Sequence, residues 1–281
     1  MLEHESVLAR IKNLPPAPVV LARVLSIMDN PKAGTGDLIA AIEVDPGVTA
    51  NILRTCNSPY YAGSRQLSTL EEAVHRVGMR TVTQLATVNG AESLLAGAHE
   101  GYGLAPGDLW RHSMSVALGC RLLAQRVGYS KASLVFTGGL LHDLGKIVLD
   151  VFLKHRYTEV RQRVEQGATF HEAEQEVLGV GHAELGSRIA ATWDFPESLL
   201  SMIRHHHQPE EAGEDSDICS LVHLADALSH WLGIGLGRPG LAVRFESSAV
   251  RKFKLKPDDL DRIMIELVEK MEETERTLVA A

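Results

Sequence analysis

With 281 residues, 45% of them hydrophobic, the chain can bury a sizeable core as one large domain or two modest ones. A formal charge of −8 and the lack of a concentrated Lys/Arg cluster argue against a nucleic-acid surface, because phosphate binding needs clustered cations. Cys56, Cys120 and Cys219 are widely separated and show no CxxC spacing, which argues against a disulfide framework or a thiolate zinc site and fits a reducing compartment. Met1-Leu-Glu-His-Glu-Ser6 is charged from its third residue and leads into no long apolar run, so neither a signal peptide nor a membrane span is expected, and the cytoplasm is the expected location. Aromatic residues make up only 5% of the chain, Leu, Ala, Val, Glu and Arg are plentiful, and β-branched alternation is rare, so an almost wholly helical protein is expected.

In chain order, a short helix over residues 4–13 is expected to end at Leu14-Pro-Pro-Ala-Pro18, where the prolines force an extended entry. Val19, Val20, Leu21, Val24, Leu25 and Met28 then form one apolar helical face that Asn30-Pro31 stops. Gly34-Thr-Gly-Asp37 opens a helix over Leu38 to Val44, and Asp45-Pro46 starts another, with proline at a compatible first-turn position. That helix runs towards Ile52 and breaks at Asn57-Ser-Pro59. Ser68-Thr-Leu-Glu71 reads as a capping box before Ala73, Val74 and Val77, and Gly78 separates this helix from one carrying Val82, Leu85, Ala86 and Leu94. Residues 1–95 offer no ligand cluster and no nucleophile with a base, and read as a helical packing or docking unit.

Gly97 to Gly107 is glycine-rich without an apolar period and marks the expected boundary between residues 1–100 and 101–281. Asp108-Leu-Trp-Arg-His112 sets Asp108 and His112 on one helical face, with Trp110 pointing elsewhere to pack. Gly138-Gly-Leu-Leu-His-Asp-Leu-Gly-Lys-Ile-Val-Leu149 places His142 beside Asp143 in an apolar run, with Lys146 on the same side as the carboxylate. A buried Asp needs a partner for its charge; a metal cation held with the adjacent His is one reading, and a helix terminus whose His and Asp satisfy backbone groups is the other. A charged helix follows near residues 154–166, then Gly181-His-Ala-Glu-Leu-Gly186, Ile203-Arg-His-His-His-Gln-Pro209 and an apolar helix around Leu221–Leu228 that carries Asp226. Gly233-Ile-Gly-Leu-Gly237 lacks the Lys-Ser/Thr and preceding strand of a phosphate loop and reads as a flexible connection. Arg251-Lys-Phe-Lys-Leu-Lys256, followed by Asp258, Asp259 and Asp261, reads as a solvated face. The last helix opens at Pro257-Asp-Asp259 and repeats Leu260, Ile263, Met264, Leu267, Val268 and Met271 as a core-facing or dimer-forming stripe.

His112, His142, Asp143, His182, a pair from His205 to His207, and Asp226 together supply imidazoles and carboxylates from several helices. Any one of them alone satisfies a hydrogen bond as readily as a ligand role; their recurrence points to a transition-metal site. Without thiolates the set suits one or two divalent ions of iron, manganese, nickel or zinc, with Asp143 as a bridging carboxylate. Asp108 can be a further ligand, a hydrogen-bond partner that orients His112, or a helix N-cap.

These stretches resemble the HDOD (HD-related output domain) family over nearly the whole chain. The resemblance is carried by Leu14-Pro-Pro-Ala-Pro18, Asp45-Pro46, Leu53-Arg-Thr-Cys-Asn-Ser-Pro59 with Tyr60 and Tyr61, Leu109-Trp-Arg-His-Ser113, Gly139-Leu-Leu-His-Asp-Leu-Gly-Lys146, His182-Ala-Glu-Leu-Gly186, Trp193-Asp-Phe-Pro196 and Leu224-Ala-Asp226. It implies an all-α fold of the wider HD superfamily, a helical bundle with an N-terminal helical subdomain packed against it, and a bacterial signalling role. Many HDOD members look degenerate at the metal ligands of catalytic HD enzymes, whereas this chain is similar to the catalytic pattern at every step. His112 matches the first His, His142 and Asp143 the paired HD, His182 the next ligand, His206 and His207 the double His, and Asp226 the final Asp; His205 leaves the triplet's register open by one. Lys146 matches a lysine thought to assist protonation at the reacting phosphate in the related HD-GYP phosphodiesterases. Those enzymes carry Gly-Tyr-Pro after the double His, where this chain has Gln208-Pro-Glu-Glu-Ala-Gly-Glu-Asp-Ser-Asp217, which argues against cyclic-di-GMP hydrolysis.

Two functions are therefore expected to compete. One is a cytoplasmic signal-output module that contacts a signalling protein through its N-terminal half, with a retained mono- or dinuclear metal site. The other is a metal-dependent phosphohydrolase acting on a nucleotide or other phosphoester, with Asp143 and Lys146 in catalytic roles. Neither a nucleic-acid nor a membrane partner is expected.

Overall fold

The computed structural model describes residues 16–61, 63, 65–235 and 247–279. The helix expected over 4–13 and the first part of the Leu14–Pro18 segment lie outside them. The described residues are helical, as expected; they contain no strand, and one isolated antiparallel bridge joins His99 to Leu104. Backbone contacts divide the chain into two compact units, one holding Pro16–Leu94, Trp193–Pro196 and residues 269–279, the other holding Leu95–Thr192 and Glu197–Val268.

The first unit contains α1 (Val19–Asp29), α2 (Thr35–Ile42), α3 (Pro46–Cys56), α4 (Leu70–Val77) and most of α5 (Met79–Leu95). Its helix starts follow local hydrogen bonding. Asp45 Oδ1 accepts the free amides of Gly47 (2.8 Å) and Val48 (3.1 Å) at the head of α3, where Pro46 has no amide to satisfy. The capping box of α4 lies one residue later than the sequence pairing of Ser68 with Glu71: Thr69 Oγ1 accepts the Glu72 amide at 3.2 Å. Glu72 Oε2 in return accepts the amides of Ser68 at 2.7 Å and Thr69 at 3.3 Å, so its position satisfies two donors. Val24, Leu38, Ile42, Ile52, Cys56, Leu70, Ala73, Val82 and Ala86 meet in one apolar core. Asn57 explains the Asn-Ser-Pro break, because its side chain accepts the Leu67 amide (2.8 Å) and donates to the Leu67 carbonyl (2.9 Å), closing the loop between α3 and α4.

The second unit contains α6 (Asp108–Arg126), α7 (Ala132–Leu141), α8 (Lys146–Glu165), α9 (Phe170–Leu178), α10 (His182–Thr192), α11 (Glu197–His205), a 3-10 turn (Pro209–Asp215), α12 (Ser216–Trp231), α13 (Ser247–Lys252) and the start of α14 (Pro257–Val279). Helix α6 is buried all round from His112 to Cys120, α7 from Val135 onward, and α12 from Ile218 to Ser229, so these three form the interior. A Cβ at Gly139 would stand 2.7 Å from Cys120 Sγ and 3.1 Å from the Ala117 Cα, so only glycine lets α7 lie this close to α6. Ala132–Glu165 has the length and apolarity of a membrane span, a refinement of the sequence expectation, but 78% of its most apolar window is buried inside the protein as core.

Several expectations change in detail. The charged helix near 154–166 is the outer end of the longer α8. The segment Gly97–Gly107 is held on α8, where Asp150 Oδ1 accepts the Gly101 amide at 2.8 Å and Tyr102 is fully buried. In α14, Ile263, Leu267 and Met271 are buried at four-residue intervals, while Val268 is exposed, so the stripe is narrower than the sequence pattern. All three cysteines are free and buried, and burial pushes the Cys56 thiol up to about 11 and that of Cys219 to about 12.

Between α7 and α8, residues His142–Gly145 form a one-turn break that displays the His-Asp pair. A Cβ on Gly145 would collide with the carbonyl oxygen of His182 and stand 2.6 Å from the Gly186 amide. Gly145→Ala is therefore expected to lower stability by about 1–3 kcal/mol or more through backbone displacement, read as a fall in the thermal midpoint. Asn57→Ala should cost about 1–3 kcal/mol by leaving the Leu67 amide and carbonyl without their partner, measured by denaturant unfolding; an unchanged midpoint would remove the loop-closing role.

Candidate metal centre

Five ligand-bearing segments converge inside the second unit. His112 comes from α6, His142 and Asp143 from the turn after α7, His182 from the first residue of α10, and Asp226 from the middle of α12; His206 and His207 follow α11. All seven residues of the expected set are gathered here, and all but the half-buried His207 are buried. They form overlapping clusters, His112–His142–Asp226, His142–Asp143–His206 and His206–His207–Asp226, in each of which one ligand atom per residue lies within 4.8 Å of the others. Of the His205–His207 triplet, His206 and His207 enter the clusters, and His205 belongs to none of them.

The hydrogen bonds assign the state of each ring. The Nδ1 atom of His142 lies 2.7 Å from the Gly139 carbonyl and that of His206 2.8 Å from the Ile203 carbonyl. A carbonyl only accepts, so both Nδ1 atoms carry the proton; the Nε2 of His206, which burial keeps neutral, is a bare lone pair, while that of His142 faces Asp143 Oδ2 at 3.4 Å and, against burial, Asp143 and Asp226 raise its pKa. Both Nε2 atoms are buried without a hydrogen-bond partner. His112 donates from Nδ1 to the Ile234 carbonyl at 3.3 Å, which turns its Nε2 to Asp226 Oδ1 at 3.0 Å and Asp143 Oδ2 at 3.7 Å. His182 Nδ1 lies 2.6 Å from Glu174 Oε2, leaving its Nε2 3.4 Å from Asp143 Oδ1 and 2.9 Å from His207 Nε2. Facing acceptors at these separations need a proton or a cation between them. Convergent bare nitrogens and carboxylate oxygens are the donor set that a transition-metal ion takes up.

Charge leads to the same requirement. Asp143, Asp226 and Glu174 are buried together, and Lys146, whose Nζ donates to Asp143 Oδ2 at 2.6 Å, is the one ammonium in the cluster among the described residues. Burial opposes ionisation of Asp143, yet His142, Lys146, His182 and His112 hold its carboxyl well below the usual range. Burial likewise opposes a charge on Asp226, and His230, His112 and His142 outweigh it, holding that carboxyl well below the usual range. Burial holds His206 and His207 well below the ordinary imidazole value, so both rings stay neutral, as ligands must be. A dication would neutralise the carboxylates that the single lysine leaves uncompensated. The residues present therefore fit a metal.

Asp108 stands apart, accepting the Ala105 amide at 2.8 Å, and Gly107 is the N-cap of α6. Its clearest role is local, and none of the ligand clusters includes it. Glu174 and His171, both on α9, lie outside the expected ligand set. The signal for that helix was present in Thr169-Phe-His-Glu172, a capping box realised by Thr169 Oγ1 accepting the Glu172 amide at 3.2 Å. His171 forms a further cluster with His182 and His207, and its Nδ1 is buried without a partner. With Nδ1 committed to Glu174, the remaining lone pair of His182 serves one ion, so this cluster and the Asp143 side compete for the same nitrogen. His230, one turn after Asp226, adds an imidazole 3.4 Å from Asp226 Oδ1. The described part of the Gly233–Gly237 stretch is a packed turn and no loose connection, since Ile234 supplies the carbonyl that orients His112.

Comparison with known proteins agrees with this architecture. Residues 14–209 match the model of the HDOD domain. A protein of Treponema pallidum (strain Nichols), itself uncharacterized, is 27% identical over 213 residues, which are 75% of this chain and 40% of that protein. Ribonuclease Y of Thermus thermophilus is 30% identical over 122 residues, 43% of this chain and 16% of the enzyme. The chain thus spans well under half the length of these relatives. Among solved structures, an HDOD domain protein of Geobacter sulfurreducens superposes with a TM-score of 0.72 at 23% identity, covering 100% of this chain and 96% of that one. A candidate metal-dependent phosphohydrolase of Shewanella amazonensis SB2B gives a TM-score of 0.60 at 20% identity, with coverage of 96% and 98%. At these identities the structures share the fold, and with the match over residues 14–209 they lead to one conclusion: the chain belongs to the HDOD domain family.

Proposed function

We propose that the chain is a bacterial signal-output module that acts through contacts with a signalling protein and retains a centre for one or two divalent transition-metal ions. The observation that carries the metal is the convergence of the Nε2 atoms of His142 and His206, buried without hydrogen-bond partners, on Asp143 and Asp226. Iron, manganese, nickel and zinc suit this nitrogen and oxygen set. Burial favours a structural or sensing ion over turnover, because His207 alone of the expected ligands is more than slightly exposed. The free, buried thiols support a cytoplasmic setting.

A phosphohydrolase is the second reading, and Lys146 is what favours it. Its buried ammonium stands beside Asp143; burial opposes its charge, and Asp143, Asp226 and Glu174 together outweigh burial and raise its pKa, so Nζ keeps a proton within the cluster. When bound, the ions would supply Lewis-acid charge to a phosphoester. In this reading Lys146 holds a proton for the leaving oxygen, and the likeness to proteins named Ribonuclease Y adds RNA to the phosphoesters to be tried.

Metal content and turnover test both readings together. Protein purified without chelator and incubated with iron, manganese or zinc is expected to retain one or two equivalents, to lose most of them in Asp143→Ala, and to leave nucleotides, cyclic nucleotides, RNA and generic phosphoesters intact. Equal, near-zero metal in both proteins would overturn the centre. Turnover that disappears in both Asp143→Ala and Lys146→Ala, with the fold intact, would replace the module by the enzyme.

A further inference from the structure

Glu174 and Tyr102 lie outside the ligand set, yet both are completely buried against it. Glu174 uses both carboxylate oxygens. Oε2 accepts the Nδ1–H of His182 at 2.6 Å and the backbone amide of the same residue at 2.9 Å, while Oε1 accepts the Tyr102 hydroxyl at 2.6 Å. Tyr102 is itself fixed. Its ring lies 5.7 Å from that of Phe170, the Lys146 ammonium stands 5.6 Å over its face, and the preceding residue, Gly101, is tied to Asp150 by its amide.

We propose that Tyr102 and Glu174 form an outer relay that positions His182 for a metal ion: the carboxylate fixes the ring as the Nδ1–H tautomer with Nε2 bare, and the tyrosine hydroxyl fixes the carboxylate. The inference rests on the metal-centre reading above and deepens it. A carboxylate behind a ligating imidazole raises its basicity and removes its rotational freedom, so less order is lost when the ion binds. Burial and the neighbouring Glu174 push the Tyr102 hydroxyl well above its ordinary value, so it remains a donor. The competing role for Glu174 is purely structural, since its bond to the His182 amide also caps the start of α10.

Glu174→Gln separates the two roles. The amide oxygen can still accept from both His182 donors, and the amide nitrogen can donate to the tyrosine oxygen, so the cap survives while the charge is lost. Binding of zinc or cobalt is measured by competition with a chromophoric chelator, alongside the thermal midpoint of the metal-free protein and the imidazole 15N shifts. The expected result is a 10–100-fold loss of metal affinity in Glu174→Gln, within the range seen when such partners are removed, and a smaller loss in Tyr102→Phe, with both variants folded. In the metal-free wild type, the 15N shifts should show His182 protonated at Nδ1 and bare at Nε2, a tautomer that Glu174→Gln keeps through its amide oxygen while losing the charge that raises the basicity of the ring. Wild-type affinity in both folded variants would overturn the relay and leave the metal centre standing. No binding by the wild type, with His182 still locked by Glu174, would instead overturn the metal centre and reduce Glu174 to a cap.

Discussion

Three carboxylates buried beside a single lysine are the constraint on which the second unit depends. Asp143, Asp226 and Glu174 would each cost several kcal/mol to bury as isolated ions, and their surroundings are arranged to prevent that isolation. Lys146 answers Asp143, His112 and His230 face Asp226, and Tyr102 with His182 answers Glu174. What protein groups leave unmet is a set of bare nitrogens and oxygens at the centre, where a dication fits.

The helices are packed to hold that cluster. Gly139 brings α7 against α6, and the turn His142–Gly145 seats against the start of α10, where Gly145 meets His182. Backbone carbonyls of Gly139, Ile203 and Ile234 each take the outer nitrogen of a ring and so aim the inner one. These carbonyls are available because each sits in or beside a helix end or turn, where the last C=O groups of a helix have no partner within it. The geometry of the cluster is thus a by-product of where helices stop.

Much of this was legible in the sequence because it depends on residue type and local spacing. Apolar periodicity and proline breaks gave the helical character and most boundaries of the first unit, and the recurrence of His and Asp marked every member of the expected ligand set. What escaped was set by tertiary contact. Glu174 looks like an ordinary helix residue until α9 is placed beside His182; Ile234 sits in a glycine-rich stretch that reads as a tether; and nothing in the order His205-His-His207 says which two rings turn inward. Asp108 illustrates the converse, since four-residue spacing from His112 suggested a shared task, while its carboxylate is spent on the Ala105 amide.

The most direct measurement is X-ray absorption at the metal edge, on protein loaded with iron, manganese or zinc and freed of excess ion. An ion held by this cluster will show only nitrogen and oxygen neighbours, with the outer-shell scattering of several imidazoles, and will lose that pattern in Asp143→Ala. The spectrum of a merely hydrated ion, sulfur ligation, or an unchanged imidazole pattern in the variant would contradict a metal centre at this site.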